Sequence, residues 1–170
     1  DHETLSNQLL FMGDTFFVET MSFKGLQKRS KKTEKNEKGR FKKKKRFGRT
    51  LSNRAPAMLL SCLERKLKYH GLKLKKVKTA KVKASQYNHV DDTYTKKTLN
   101  KRWNDFNGII VQRDLYSSFL LMNMVDDKNL DKIDRELCFK TFDLFLQHHD
   151  ELISKLKKEP HTLKSMGVRL

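Results

Sequence analysis

A run of positive charge between positions 24 and 49 decides which parts of this sequence can form a core. These 26 residues hold 14 lysines and arginines against two acids, and they contribute +12 of the chain's net charge of +18. Their large apolar side chains are Leu26, Phe41 and Phe47. A segment of this composition cannot bury enough apolar surface to fold alone. The core must therefore come from the residues before and after it.

The basic run has two interpretations. It is a disordered, solvated loop, or it is an arm that becomes ordered against phosphates and releases their counterions. The net charge of +18 and the pI near 10 indicate a polyanionic partner. Nucleic acid is the first candidate and an anionic membrane surface the weaker one. The contacts expected for nucleic acid are Lys24, Lys28, Arg29, Lys31, Lys32, Lys42, Lys43, Lys44, Lys45, Arg46 and Arg49.

Composition argues against several other classes of protein. No apolar run approaches the roughly 18 residues of a membrane span, and nothing at the N-terminus predicts a secretory leader. The two cysteines, Cys62 and Cys138, form no CxxC pair. Isolated thiols are typical of reduced core residues in a cytoplasmic protein. Because the chain begins at Asp1 without an initiator methionine, we expect it to be a piece of a longer polypeptide.

Hydrophobic patterning predicts an α/β protein. In the first half, residues 1–12 fit an amphipathic helix with Leu5, Leu9 and Leu10 facing inward, and "FFVETM" places a strand over 15–20 that ends in Glu19. Residues 50–71 fit one helix, capped by Ser52 or Asn53 and closed by Gly71. Its leucines at 59, 63 and 67 share one face.

In the second half, "LKLKKVK" at 72–78 alternates as a half-exposed strand does. Residues 79–110 are polar and predict a loop. A helix begins near Gln112 with Asp114 in its first turn, and a last amphipathic helix runs to about Lys158. The chain therefore divides into helix plus strand over 1–23, the basic arm over 24–50, a second α/β segment over 51–125, and a helical extension and tail over 126–170.

Two acids stand where a strand ends and a helix begins. Glu19 is either a strand-end acid paired with neighbouring lysines or a metal ligand. Asp114 is either an acid that complements the helix dipole or a second metal ligand. Cleavage of phosphodiesters by two metal ions needs carboxylates that converge from separate elements, and Mg²⁺ prefers such oxygen ligands. In a strongly basic chain these two acids are the candidates for that chemistry.

Three segments carry a resemblance to a known family. They are "FVETMSFKGLQKRS", "GRTLSNRAPAMLLSCLERKLKYHG" and "KASQYNHVDDTYTKKTLNKRWNDFNGIIVQRDLYSSFLLMN". Over about residues 10–125 the chain resembles the C-terminal part of the OrfB/TnpB-type proteins of insertion sequences, often called transposases. Its most specific parts are "VET", "RAPAMLL", "KASQYNH" and "QRDLYSSFL".

The resemblance implies a RuvC-like nuclease domain with an RNase H-type fold, as in that family and the related type V CRISPR effectors. Three acids bind Mg²⁺ there, and Glu19 and Asp114 match the second and third. Arg113 matches a basic residue that commonly precedes the third acid, and it is a further expected contact for nucleic acid. The implied activity is RNA-guided cleavage of DNA, so the implied partners are DNA and a guide RNA, with base pairing selecting the target.

Two departures from the family change the expectation for this chain. Nothing here matches the first acid, which lies far upstream in the family, and residues 85–110 contain no cysteine where many members carry a zinc ribbon. The resemblance is thus to a subgroup without zinc. We expect an endonuclease parent, with the missing acid in the remainder of the polypeptide upstream, and an inactive or nearly inactive isolated chain. The alternatives are a non-catalytic nucleic-acid-binding remnant of a transposase and a basic structural protein of a ribonucleoprotein.

A polar cluster in "KASQYNH" is a weaker candidate. It comprises Ser85, Gln86, Asn88 and His89. Hydrogen bonding within the loop explains such residues, and so does contact with nucleic acid or with the active site. We therefore expect Ser85, Gln86 and His89 near the metal site only if the cluster contacts nucleic acid or the active site.

Overall fold

The computed structural model describes residues 1–28, 32–42, 48–98, 100–159 and 166–168. This part of the chain mixes helices with short strands, which confirms the α/β class. It divides into two compact units, one of Asp1–Phe16 with Thr20–Leu74 and one of Phe17–Glu19 with Lys75–Leu170. None of the described helices is long and apolar enough to cross a membrane.

In the first unit, helix α1 (His2–Met12) lies against helix α4 (Pro56–Tyr69) through polar contacts. Lys66 Nζ is 2.8 Å from Glu3 Oε2 and donates to Ser6 Oγ at 2.8 Å. Hydrogen bonds from Lys66 and Arg65 lower the pKa of Glu3 to about 2. The expected inward position of Leu5 is wrong, because Leu5 is 41% exposed while Ser6 is fully buried.

The single helix expected over 50–71 is two helices. Helix α3 spans Gly48–Arg54, and α4 begins at Pro56 after Ala55, whose φ is +39°. Proline disfavours the α conformation in the residue before it, so the helix breaks at Ala55. No side chain caps α4, and the expected cap by Ser52 or Asn53 is therefore wrong. The buried face of α4 contains Cys62, Leu63 and Leu67.

The basic run is partly ordered in its described residues. Helix α2 spans Phe23–Gln27. Residues 34–42 form an antiparallel hairpin, in which Lys35 pairs with Phe41 and Lys42 N donates to Glu34 O at 2.8 Å. Asn36 Oδ1 closes the turn by accepting from the backbone of Lys38 and Arg40. These described residues therefore have local secondary structure, and the contact of the arm with phosphates stays a prediction.

In the second unit, strands β1 (Phe17–Glu19) and β2 (Lys75–Val77) are parallel, with Glu19 opposite Val77. Both strands lie inside the predicted ranges. Helix α6 (Arg113–Met122) and helix α7 (Arg135–Lys158) pack their apolar faces into the core of this unit. Asp134 caps α7 by accepting from Leu137 N at 2.9 Å.

The loop expected over 79–110 is wrong. The segment contains helix α5 and two hairpins, and its elements are α5 (Thr79–Val82), β3 (Tyr87–Asn88), β4 (Thr93–Tyr94), β5 (Trp103–Phe106) and β6 (Ile109–Gln112). The β5–β6 connection is Asn107–Gly108, with φ values of +52° and +95°. Asn-Gly readily adopts two positive φ angles, which match the strand twist in a two-residue hairpin. This hairpin delivers the chain directly into α6.

Candidate metal centre

The strand that ends in Glu19 packs on the helix that begins at Arg113. Strand β1 and helix α6 approach within 8 Å between Cα atoms. Phe17 packs against the buried core to which Tyr116 and Phe119 of α6 belong. Side chains alternate along a strand, so Glu19 lies on the same face of β1 as Phe17. The fold thus brings the two candidate metal-binding elements together within the second unit.

Glu19 is a half-buried acid. Desolvation by burial raises the pKa of its carboxyl above the ordinary value of 4.5. Among the residues that the structure describes, no ion pair or side-chain hydrogen bond involves Glu19. The expected alternative, a salt bridge to neighbouring lysines, is therefore not seen in that part of the chain. Partial burial without a partner penalises the ionised carboxylate.

Asp114 is exposed and lies in the first turn of α6. Its Oδ2 accepts a hydrogen bond from Gln112 Nε2 at 3.3 Å, and its backbone N–H donates to Gln112 Oε1 at 2.7 Å. A carboxylate here is favoured by the helix dipole. The position of Asp114 therefore agrees with its interpretation as an acid that complements the helix dipole. Its other carboxylate oxygen, Oδ1, remains available to a ligand.

Gln112 is a residue of the site that sequence reasoning did not identify. Its side chain is fully buried and caps α6, since Oε1 also accepts from Leu115 N at 2.9 Å. Its backbone N–H donates to His149 Nε2 at 2.9 Å, and its Nε2 donates to Met166 O at 3.0 Å. Glutamine is not among the preferred N-cap residues, so its sequence carried no signal for this role.

The Arg113 side chain binds the backbone of the segment that precedes β5. Its Nη1 donates to the backbone oxygens of Thr98 at 3.0 Å and Lys101 at 3.2 Å. Its Nε is buried without a partner in the described structure. The guanidinium therefore anchors the segment before β5.

The polar cluster divides between loop contacts and the core. Asn88 Nδ2 donates to Asp91 Oδ2 at 2.7 Å, and Asn88 Oδ1 accepts from Val90 N at 3.0 Å. Loop hydrogen bonding therefore accounts for Asn88. Ser85 and Gln86 are half-buried, and the backbone of Gln86 accepts from Thr95 N at 2.8 Å.

His89 is fully buried against α6. Its Nδ1 lies 2.6 Å from the hydroxyl of Tyr116, which also accepts from His89 N at 3.1 Å. Burial and the charge of Arg135 lower the pKa of the imidazole to about 4. The neutral ring then accepts from the Tyr116 hydroxyl through Nδ1. His89 is therefore buried in the core of the second unit, where it supports α6, the helix that carries Asp114.

The described basic residues of the arm are exposed. Lys24 lies on α2, Arg49 lies on α3, Lys42 lies at the end of the 34–42 hairpin, and Lys28 and Lys32 lie between these elements. Lys42 Nζ is 3.4 Å from Glu34 Oε2, and its side chain remains 56% exposed. Six expected contacts lie outside the described residues: Arg29, Lys31, Lys43, Lys44, Lys45 and Arg46.

The described residues contain no group of three or more histidine, cysteine, aspartate or glutamate side chains placed to hold a metal ion. Glu19 and Asp114 are at most part of a ligand set. Comparison with known proteins adds no relative: no family model, no curated protein and no solved structure matches this chain.

Proposed function

We propose that this chain is the C-terminal portion of an RNA-guided, Mg²⁺-dependent DNA endonuclease with a RuvC-like, RNase H-type fold. In this proposal Glu19 and Asp114 are two of its metal ligands. The remaining acid comes from chain outside these residues. The motifs that resemble those of insertion-sequence proteins motivate the activity, and the basic arm is assigned to nucleic acid.

One observation carries the proposal. Strand β1 and helix α6 pack together in one unit, and Glu19 lies on the same face of β1 as Phe17, which packs against the core to which Tyr116 and Phe119 of α6 belong. A parallel strand that ends in an acid beside a helix that begins with one is a suitable arrangement for carboxylates to share a cation. The ions, when bound, polarise the phosphodiester and activate water.

The surroundings of the two acids fit this role. A cation offsets the desolvation cost that Glu19 bears as an unpaired, half-buried carboxylate. Asp114 keeps one oxygen occupied by Gln112 Nε2, which fixes the carboxylate and leaves the other oxygen for metal. Hard oxygen ligands of this kind suit Mg²⁺ and Mn²⁺.

Paramagnetic line broadening tests the shared site. Substoichiometric Mn²⁺ is added to the ¹⁵N-labelled chain, and the amide signals of Thr20 and Asp114 are followed. We expect both signals to broaden at the same ion concentration, ahead of signals from the exposed acid Asp143 on α7. Broadening at only one of the two acids, or equal broadening at Asp143, would contradict the proposal.

Salt-dependent binding tests the arm. Neutralising Lys42 through Lys45 with glutamine is expected to weaken binding to single-stranded nucleic acid and to flatten its salt dependence, because fewer counterions are released. The matched control neutralises four exposed lysines of α7: Lys140, Lys155, Lys157 and Lys158. Equal losses in both variants would show that total charge, and not the arm, sets the affinity.

A second function is favoured by the incomplete ligand set. The described residues hold no cluster of three metal-binding side chains, so the chain alone suits a nucleic-acid-binding role without catalysis. Cleavage assays with Mg²⁺ or Mn²⁺ distinguish the cases. We expect the isolated chain to bind DNA without cutting it at a significant rate. Metal-dependent cutting that Asp114→Ala abolishes would instead show that the isolated chain is itself catalytic.

A further inference from the structure

Gln112 uses its whole side-chain amide at the start of α6. Its Oε1 accepts from the backbone N–H groups of Asp114 and Leu115, at 2.7 and 2.9 Å. Because N–H donors require an oxygen, these two contacts fix which end of the amide faces the helix. The Nε2 group must then point away, and it donates to Asp114 Oδ2 at 3.3 Å and to Met166 O at 3.0 Å.

His149 holds the backbone of the same residue. Its Nε2 accepts from Gln112 N at 2.9 Å, and its Nδ1 lies 2.7 Å from Asp150 Oδ1. The Asp150 carboxylate accepts a hydrogen bond from the Nδ1–H group, which leaves Nε2 as the acceptor. The imidazole is only 3% exposed. Gln112 is therefore held from α7 as well as from α6.

The C-terminal segment 166–168 provides the third contact. Gly167 O accepts from Trp103 Nε1 at 3.2 Å, and Val168 is buried. Gly167 has a φ of +73°, and a Cβ there would lie 2.7 Å from Arg102 Cβ. Only glycine fits this close approach without a shift of the segment. The docked segment places Met166 O against the Gln112 amide.

We infer that Gln112 is a positioning residue for the Asp114 carboxylate, held in place by His149 and by the docked segment 166–168. The inference rests on the proposed function, since it treats Asp114 as a metal ligand. One donated hydrogen bond fixes Oδ2 and directs the other oxygen toward a cation. Partners that orient a ligand in this way commonly change metal affinity by about 10–100-fold when they are removed.

Mn²⁺ broadening at the Asp114 amide tests the inference with four variants and two controls. Gln112→Ser keeps an N-cap oxygen but loses the donor to Asp114. His149→Phe removes the acceptor for Gln112 N, and His149→Gln returns an oxygen near the position of Nε2. Gly167→Val displaces the C-terminal segment without altering any acid, and its matched control is Gly13→Val, where a Cβ meets nothing within 4 Å. Asp114→Asn reports on the metal site itself.

We expect Gln112→Ser to need about tenfold more Mn²⁺ for equal broadening. His149→Phe and Gly167→Val should shift the requirement in the same direction. His149→Gln and Gly13→Val should remain near the parent chain. A merely structural role would lower the melting temperature but leave the Mn²⁺ requirement unchanged in chains that stay folded. If Gln112→Ser does not fold, Gly167→Val and the His149 pair decide the question.

If Gln112→Ser, His149→Phe and Gly167→Val need no more Mn²⁺ than the parent chain, while Asp114→Asn loses the broadening, the positioning role is overturned and the metal site stands. Broadening that survives in Asp114→Asn would instead overturn the metal site, and the inference with it.

Discussion

The end of β1 and the start of α6 hold their acids in opposite ways. Asp114 is exposed, lies in a helix N-terminus and accepts a hydrogen bond from a buried, fully engaged glutamine. Glu19 is half-buried, and no described residue pairs with its carboxylate, whose pKa is raised by desolvation. The fold therefore stabilises the Asp114 carboxylate, whereas the Glu19 carboxylate destabilises the folded chain.

This difference makes Glu19 the more informative of the two residues. An acid at a helix start stabilises the helix whether or not it binds anything. A partly desolvated acid without a partner destabilises the folded chain, and such groups are typical of functional sites. The comparison predicts that neutralising the two acids changes stability in opposite directions.

The largest expected effect concerns the core beneath α6. Burial holds the pKa of His89 at about 4, against an ordinary value of 6.5. The unfolded chain then binds the proton more tightly, so His89 favours folding above pH 6.5 and that contribution is lost as the pH falls toward 4. Between pH 7 and 5 we expect it to reduce the free energy of unfolding by about 2 kcal/mol.

Denaturant titrations across this pH range check the prediction. In His89→Asn an oxygen remains near the position of Nδ1 to accept from Tyr116, but nothing titrates. The variant should therefore lose most of the pH dependence. Parallel curves for the two chains would show that His89 does not carry this dependence.

At the start of α6, Asp114→Asn should lower the stability of the folded chain. Removing a charge that complements the helix dipole costs about 0.3–1 kcal/mol. Thermal unfolding should show a fall of roughly 1–4 °C for a chain of this size. The control is Asp143→Asn, which changes an exposed acid in the middle of α7. Equal shifts in both variants would show that net charge, and not position, sets the effect.

At the end of β1, Glu19→Gln should raise the melting temperature slightly. The neutral amide has the size of the carboxylate but avoids the desolvation penalty. A gain below about 0.5 kcal/mol is expected for a partly exposed position. Glu37→Gln, at an exposed turn of the arm, should have no effect. A lower melting temperature for Glu19→Gln would mean that the carboxylate has a stabilising partner.

Local patterns predicted the elements that carry the two acids. Apolar spacing predicted helices α4, α6 and α7, and the runs around Phe17 and Lys75 predicted strands β1 and β2, but not their parallel pairing. The Asn107–Gly108 pair is a strong hairpin signal, and the polar composition around it obscured that signal. Leu5 was misplaced because α1 docks through Glu3 and Ser6, a polar contact that helical apolar periodicity does not describe.

The support around Asp114 could not be predicted from sequence. Gln112 is held by His149 and Met166, which lie 37 and 54 positions further along the chain. Such contacts depend on how β6, α7 and the C-terminal segment pack together, and no short-range sequence pattern predicts that packing. The packing of β1 against α6 likewise depends on tertiary contacts, among them those of Phe17 with the core. Sequence supplied the residue types, and tertiary contacts supplied their environment.

Mn²⁺ affinity in a double-mutant cycle tests the central claim that Glu19 and Asp114 share one metal site. Affinity is measured by electron paramagnetic resonance for the parent chain, Glu19→Gln, Asp114→Asn and the double variant. If both carboxylates hold one ion, each single change should remove most of the binding and the double change should add little further loss. Independent, additive losses, or a loss from only one of the two changes, would contradict the account.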